Sequence, residues 1–374
     1  MIVLSIHEQE PIAWARRHFG EVDLGDLRRD QRAETIAIAM AANPGKSIPQ
    51  LFAGSYDLKA ASQFFKHEEA TPDNLQAGHR EIVLEEMKKP GRYLLLEDSS
   101  EMTWPGTQPI PGLGPIGAGT EGLPGFHLHS TLAVRWHLGA RETGQWPGRE
   151  AVEVLGFADQ QYHVREPRPK GEKKRDSKAR KQRARESQWW EQAGERSGPA
   201  PDGEEGEWIR VCDRGAEIYE MLMGCQELHH HFVIRAAQDR LVTAEEGRAN
   251  VGQLFATARA QEPLNQFRLE WRTRPGQSAR TAPMKISTVK VWVRSPQRPG
   301  KNAGAFPPIR GRVVRVWEEN AREGSEALEW ILLRGLEVKN FAQALEVALR
   351  YSTRWLIEEF HQALKSGTTA EELQ

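Results

Sequence analysis

The 374-residue chain holds only two cysteines, Cys212 and Cys225. So few thiols exclude a disulfide framework, and their separation matches no zinc-finger spacing, so buried or free thiols in a reducing compartment are expected. No apolar run approaches the roughly eighteen residues that a membrane-crossing helix needs. The opening segment, Met1-Ile-Val-Leu-Ser-Ile-His-Glu8, has no basic residues before its short apolar stretch. An export signal is therefore not expected, and a cytoplasmic location is. An excess of one charge sign is also missing, because the formal net charge is -1. With 39% hydrophobic and 28% charged residues, the composition is that of a soluble globular chain long enough for two or three domains.

What the average hides is local. Between Arg165 and Arg185 there are eleven Lys or Arg, among them Lys173, Lys174 and Arg175, against three acids, a balance of +8. Such a block can neutralise a phosphate backbone and release counterions; a basic loop with no partner is the equal alternative. The twelve tryptophans are numerous for this length. Some could stack on bases, although most large aromatics belong to cores.

Taken in order, residues 1–75 read as a small helical unit: one helix through Trp14 that stops at Gly20, a second from Asp26 to Ala42, and a third from Tyr56 to about His67. Arg28, Arg29 and Arg32 crowd the start of the second helix, where the macrodipole favours acids. They suit anion contacts better than helix support, with ordinary surface charge as the alternative. A helix over Thr71–Pro90 then leads into Tyr93-Leu-Leu-Leu96-Glu97-Asp98, read as a buried strand that ends in a carboxylate. Pro111–Gly117 reads as a turn. Further strands are expected around His129–Trp136 and Glu153–Phe157, and again from Glu207 through Val211 and Cys212 to Asp213, a second strand that ends in an aspartate. Three consecutive histidines, 229–231, make a poor chelate on a strand, because neighbours point to opposite faces. From Arg240 to Gly324 the segments alternate apolar and polar residues, as half-exposed antiparallel strands do.

The last stretch, Tyr351 to Lys365, has no Gly or Pro and reads as one helix continuing from Phe341. At about 100° per residue, Tyr351, Arg354, Glu358 and Lys365 share one polar stripe opposite Leu356, Ile357, Phe360 and Leu364, whereas Glu359 points elsewhere. On its own such a stripe is more often solvated than functional. Asp98 and Asp213 at strand ends, together with Glu358, make three carboxylates that could hold two Mg²⁺ ions for phosphodiester displacement. Arg354 and Lys365 could add positive charge.

These segments together resemble the cut-and-paste DDE transposases of bacterial insertion sequences, the IS-four group of the Tn-five type. The motifs that carry the resemblance span nearly the whole chain. They are Phe19-Gly20, Leu24-Gly25-Asp26 and Arg28-Arg29; Leu96-Glu97-Asp98-Ser99-Ser100; Gly112–Gly117; His129 with Leu132-Ala-Val134; Glu186-Ser187 with Trp189; Val211-Cys212-Asp213-Arg214; and the Y-R-E-K signature Tyr351, Arg354, Glu358, Lys365. Two departures stand out. Ser99-Ser100 replace two threonines, and Gly215 and Glu217 replace an acidic pair that follows the second aspartate.

The resemblance implies an α/β chain: a helical DNA-binding domain over 1–75, an RNase H-like catalytic core over 76–240 and 326–374, and an antiparallel β insertion over 241–325. It implies two Mg²⁺ or Mn²⁺ ions on Asp98, Asp213 and Glu358, and nicking, hairpin formation and strand transfer at the terminal inverted repeats of a DNA element. Trp330 matches a base-stacking position, with a core tryptophan as the alternative, and Arg235 matches a basic position near the DNA end. The 374 residues stop shortly after Lys365, so the family's C-terminal pairing domain is expected to be absent, and a synaptic homodimer only if it is supplied. A DNA-binding regulator or catalytically incomplete remnant, and a stand-alone nuclease, are the rival expectations.

Overall fold

The computed structural model describes residues 10–104, 110–117, 123–137, 152–166, 188–201, 206–246, 251–271, 280–295, 306–319 and 327–367. Helices come first: α1 (Pro11–Phe19), α2 (Leu27–Ala42), α3 (Ile48–Leu51), α4 (Ser55–Phe64) and α5 (Pro72–Met87). Asp26 caps α2 by accepting from the Arg28 N–H at 2.9 Å, and Thr71 caps α5 by accepting from Asn74. α2, α3 and α4, with the turn that precedes α2, share a small core of Val22, Leu24, Ala33, Ile36, Phe52, Ala61 and Phe64.

A mixed α/β body follows. Its elements are β1 (Gly91–Thr103), β2 (Gly114–Ile116), β3 (Leu123–Trp136), β4 (Val152–His163), α6 (Gln188–Ser197), β5 (Gly206–Cys212), α7 (Tyr219–Glu227), β6 (His231–Arg235), β7 (Leu241–Thr243), β8 (Val251–Gln253), α8 (Leu254–Arg259), β9 (Asn265–Trp271), β10 (Arg280–Val293), β11 (Ile309–Glu318), β12 (Glu329–Arg334), α9 (Phe341–Ser352) and α10 (Trp355–Gln362). The strands form one sheet in the order β2-β3-β1-β5-β6-β12-β11-β10-β7-β8, with β4 beside β3 and β9 beside β10. β1, β5 and β6 run parallel, and the flanking pairs are antiparallel. The alternating strands after residue 240 thus extend the same sheet through β11 and β12. α9 and α10 cover one face over Leu94, Leu96, Ile209, Val211 and Leu332; α6, α7 and α8 cover the other over Cys212, Ile234, Val291 and Leu333.

Several local expectations are corrected. β1 does not end at Asp98 but continues to Thr103, because β3 supplies pairing partners as far as Gly125. Asp98 therefore sits within a strand, paired with Ser130. The 111–117 turn contains a short strand, β2, paired with the start of β3. After β5 the chain makes a single 3-10 turn, Arg214–Ala216, before α7 begins at Tyr219. Most consequential, Phe341–Lys365 is not one helix. Ser352 and Thr353 both donate side-chain hydrogen bonds to the Leu349 carbonyl, at 2.6 and 3.0 Å. From there Arg354, Leu356 and Ile357 bond only three residues back. This tightened turn separates α9 from α10.

Two buried polar contacts fasten the layers. Glu97 and Arg210 are each 1% exposed; the guanidinium donates to both carboxylate oxygens, at 2.6 and 2.7 Å. The pair joins β1 to its parallel neighbour β5. Burial alone would raise the Glu97 pKa, but Arg210 outweighs it and holds the carboxyl at about 2. The second contact seats the N-terminal helices on the body. His79 of α5 accepts from the Phe157 N–H through Nε2 at 2.9 Å, so its neutral ring carries the proton on Nδ1, which faces Nδ1 of His18 at 3.0 Å. Trp14 packs on both rings. At Gly156, with φ of 138°, a Cβ would come within 2.6 Å of the His79 ring; only glycine lets α5 approach β4 so closely.

Substitution R210M strands Glu97 without its partner and is expected to cost about 3–5 kcal/mol in urea denaturation, with E97Q/R210M recovering most of the loss. The histidine joint carries a pH signature. Burial, aided by Arg17 for His18 and by His18 for His79, lowers both pKa values from 6.5 to about 4. Their contribution is complete above the unfolded value of 6.5 and lost as pH falls through about 4. Thermal unfolding of wild type should therefore weaken between those limits more steeply than that of H18Q/H79Q.

Candidate active site

The carboxylates of Asp98 and Glu358 meet at Arg354. Its Nη1 lies 3.5 Å from Asp98 Oδ1, and its Nη2 donates to Glu358 Oε1. The tightened turn between α9 and α10 places this guanidinium over β1, with a side chain 14% exposed. Burial would lower the Arg354 pKa, and the opposing charges of Asp98, Glu358 and Asp213 raise it on balance. Asp213, the first residue beyond β5, is half-buried. The Glu97↔Cys212 pairing sets it level with Asp98, and its Oδ1 accepts from the Gly215 N–H at 2.8 Å. Four side chains from three distant parts of the sequence are thus drawn to one end of the parallel strands.

Around them lies an aromatic wall. Tyr351, in the last full turn of α9, is buried, with its ring edge-on to half-buried Trp330 at 5.2 Å. Burial raises the Tyr351 pKa, partly offset by Arg354 and by a hydrogen bond with Arg235. Arg235 also donates to the Glu329 carbonyl at 3.1 Å, bridging β6 to β12. Of the Y-R-E-K residues, Lys365 stands apart. It lies half-buried in the turn Ala363–Gly367, and no described contact joins it to Asp98, Asp213 or Glu358.

The donor set suits a hard cation in kind, since carboxylate oxygens are what Mg²⁺ takes. Its spacing does not: among the described residues no three His, Cys, Asp or Glu side chains are grouped to hold a metal ion. Arg354 stands between two of the three acids.

Several residues at the site carry no role in the sequence reading. His361 places Nδ1 3.6 Å from Asp98 Oδ2 and its Nε2 3.2 Å from Ser130 Oγ. Its signal is spacing, one turn beyond Glu358. Behind Asp98, Ser99 contacts fully buried His129 at 2.8 Å, whose other nitrogen lies 3.7 Å from Glu97. Arg210, a charge inside an apolar strand, is the sequence clue to this buried chain of polar groups. Glu217 is not a site acid. It is 1% exposed and anchors the loop before β7 through Gln238 N–H at 2.6 Å and Arg240 at 2.8 Å.

The basic positions divide. Arg28 is exposed on the first turn of α2. Arg29 reaches His67 Nδ1 at 3.3 Å, and Arg32 donates to Asp57 at 3.2 Å, so both also tie α2 to the ends of α4. Leu27 and Tyr56, 70% and 77% exposed, border this surface. Lys173, Lys174 and Arg175 lie outside the described residues. No described helix is long and apolar enough to cross a membrane.

Against known families, residues 11–70 match the family model described as transposase DNA-binding, which covers α1 to α4 and the arginines at the head of α2.

Proposed function

We propose that the chain is a DDE transposase with an RNase H-like core, of the IS-four group, whose N-terminal helices hold the ends of a DNA element while Asp98, Asp213 and Glu358 serve phosphodiester chemistry. The observation that carries this reading is the convergence of Asp98 and Glu358, 260 residues apart, on Arg354, with Asp213 alongside. It is joined to helices that match a transposase DNA-binding model. The three acids would hold two Mg²⁺ or Mn²⁺ ions if Arg354 gave up its place between Asp98 and Glu358, since as they stand the described residues group no such site. Such ions, when bound, activate a water or hydroxyl and stabilise the leaving oxygen.

The chain's own residues take the other tasks. Arg354 has the planar fork that grips a phosphate, and Lys365 supplies a point charge beside it. Arg235 and Tyr351 line the approach of the DNA end, and Trp330 offers a ring for a displaced base. The proposed course is nicking at the terminal repeat, attack of the freed 3′-hydroxyl on the opposite strand, hairpin opening and joining to target DNA in a homodimeric synapse. A second reading, a DNA-binding regulator that occupies the ends without cutting, is favoured by one observation. The three acids do not form a cation site among the described residues.

Nicking of an inverted-repeat duplex in Mg²⁺ or Mn²⁺ separates the two. D98A, D213A and E358A are each expected to abolish cleavage while gel-shift binding of the duplex persists; no cleavage by wild type with either ion would favour the regulator. For the N-terminal surface, R28A is expected to weaken binding equally across sequences. It should also reduce the log–log salt slope by about 0.9, the share of a single neutralised phosphate. An unchanged slope would remove Arg28 from the interface.

A further inference from the structure

At the opposite end of the sheet lies a second charged cluster. Strand register builds it as a row on the α9 face. Arg92 of β1 pairs with Glu207 of β5; His231 opens β6, aligned with Ile209; Arg334 of β12 pairs with Val233 and, on its other side, with Arg312 of β11. Helix α9 closes over the row with Glu346 and Arg350. Arg350 Nη2 donates to Glu346 at 2.8 Å and to Glu207 at 3.3 Å, and Arg92 lies 3.4 Å from both acids. Arg312 is already matched by Glu337.

The cluster is not balanced. Arg92, Arg334 and Arg350 carry three positive charges against two on Glu207 and Glu346. Arg334 and Arg350 are 5% and 1% exposed, yet Nε and Nη1 of both lack any hydrogen-bond partner among the described residues. Buried unpaired guanidinium nitrogens are costly and call for an acceptor. Burial first, and Arg350 second, bring the Arg334 pKa down to about 10, so it stays cationic at neutral pH. Half-buried His231 is also held toward its neutral form, by burial and by Arg334 and Arg350, against the pull of Glu207. It does not add to the charge.

We infer that Arg334 and Arg350, with Arg92 at the solvent edge, form a binding site for a small free oxyanion of the phosphate type, remote from the proposed catalytic acids. The site lies about 20 Å from Asp98, six residues back along β1. Unpaired donors come from a strand and from a helix packed across it, so a tetrahedral anion, with acceptors in several directions, suits them better than a planar carboxylate. Burial of the two guanidiniums disfavours a duplex backbone, whose phosphates cannot leave their strand. Arg92, with a side chain 48% exposed, marks the way in.

The probe is inorganic phosphate, titrated calorimetrically into the full chain. Saturable binding with one site per chain is expected, weakened about tenfold or more in R334M. E346Q removes a competing acid and should bind phosphate more tightly, a change that a purely structural cluster would not produce. Urea denaturation in phosphate-free buffer should leave R334M at least as stable as wild type, because it removes an unpaired buried charge. Non-saturable stabilisation of equal size in wild type and R334M would overturn the site, leaving water as the acceptor. Displacement of phosphate by a short duplex would overturn the free-anion assignment; unchanged affinity with duplex present supports it.

Discussion

The buried pair between Glu97 and Arg210 is the contact on which the centre of the molecule depends. A carboxylate and a guanidinium with 1% exposure each are tolerable only when each meets the other's charge and hydrogen-bonding needs. That requirement fixes β1 against β5, since Arg210 reaches Glu97 from the neighbouring strand and also bonds the Trp190 carbonyl of α6. His129 and Cys225 complete its surroundings. Burial keeps both thiols, Cys212 and Cys225, well above the usual cysteine range, so the nearest sulfurs stay neutral and leave the pairing to the carboxylate.

Strand alternation turns this anchoring into placement. Glu97 points into the α6 face, so Asp98 must point to the α9–α10 face. Locking the first therefore aims the second. The same register puts Cys212 opposite Glu97 and leaves Asp213 level with Asp98 as the strand ends. One buried ion pair thus sets the relative position of two acids 115 residues apart, without touching either. The third acid arrives by a different device: Ser352 and Thr353 take the Leu349 carbonyl, and the tightened turn that follows swings Arg354 between Asp98 and Glu358.

Much of this is written in local sequence. Leu94–Leu96, Glu207–Val211 and the alternating strands after 240 are legible because burial on one or both faces imposes its period directly. Spacing puts Glu358 rather than Glu359 on the stripe with Tyr351 and Arg354, and Glu358 is the acid that meets Arg354. The helix break is less legible, because nothing in Tyr351–Lys365 lacks helix propensity; the break comes from hydroxyls competing for one carbonyl, an effect of side-chain rotamers. Asp98 reads as a strand end because polarity rises there, whereas partners on β3 carry pairing five residues further. Arg210 stands out as a charge inside an apolar strand, but local sequence holds no trace of its partners, nor of those of His79 and Arg334. Those of Arg210 and His79 include residues 113 and 61 positions away, and Nε and Nη1 of Arg334 have none among the described residues.

The two charged clusters show what a guanidinium does when its surroundings differ. Around Arg354 acids outnumber the base, and the arginine is raised in pKa and held by two carboxylates, with Asp98 and Glu358 left partly exposed to other ligands. Around Arg334 the bases outnumber the acids, and the arginine is lowered and short of acceptors. Helix α9 links them, because its adjacent residues Arg350 and Tyr351 face the two clusters in turn. The proposals of a cation at one end of the sheet and of an anion at the other therefore rest on one electrostatic argument with its sign reversed. The buried Ala344–Leu349 face of α9 packs on the sheet between the two clusters, so one helix carries residues of both.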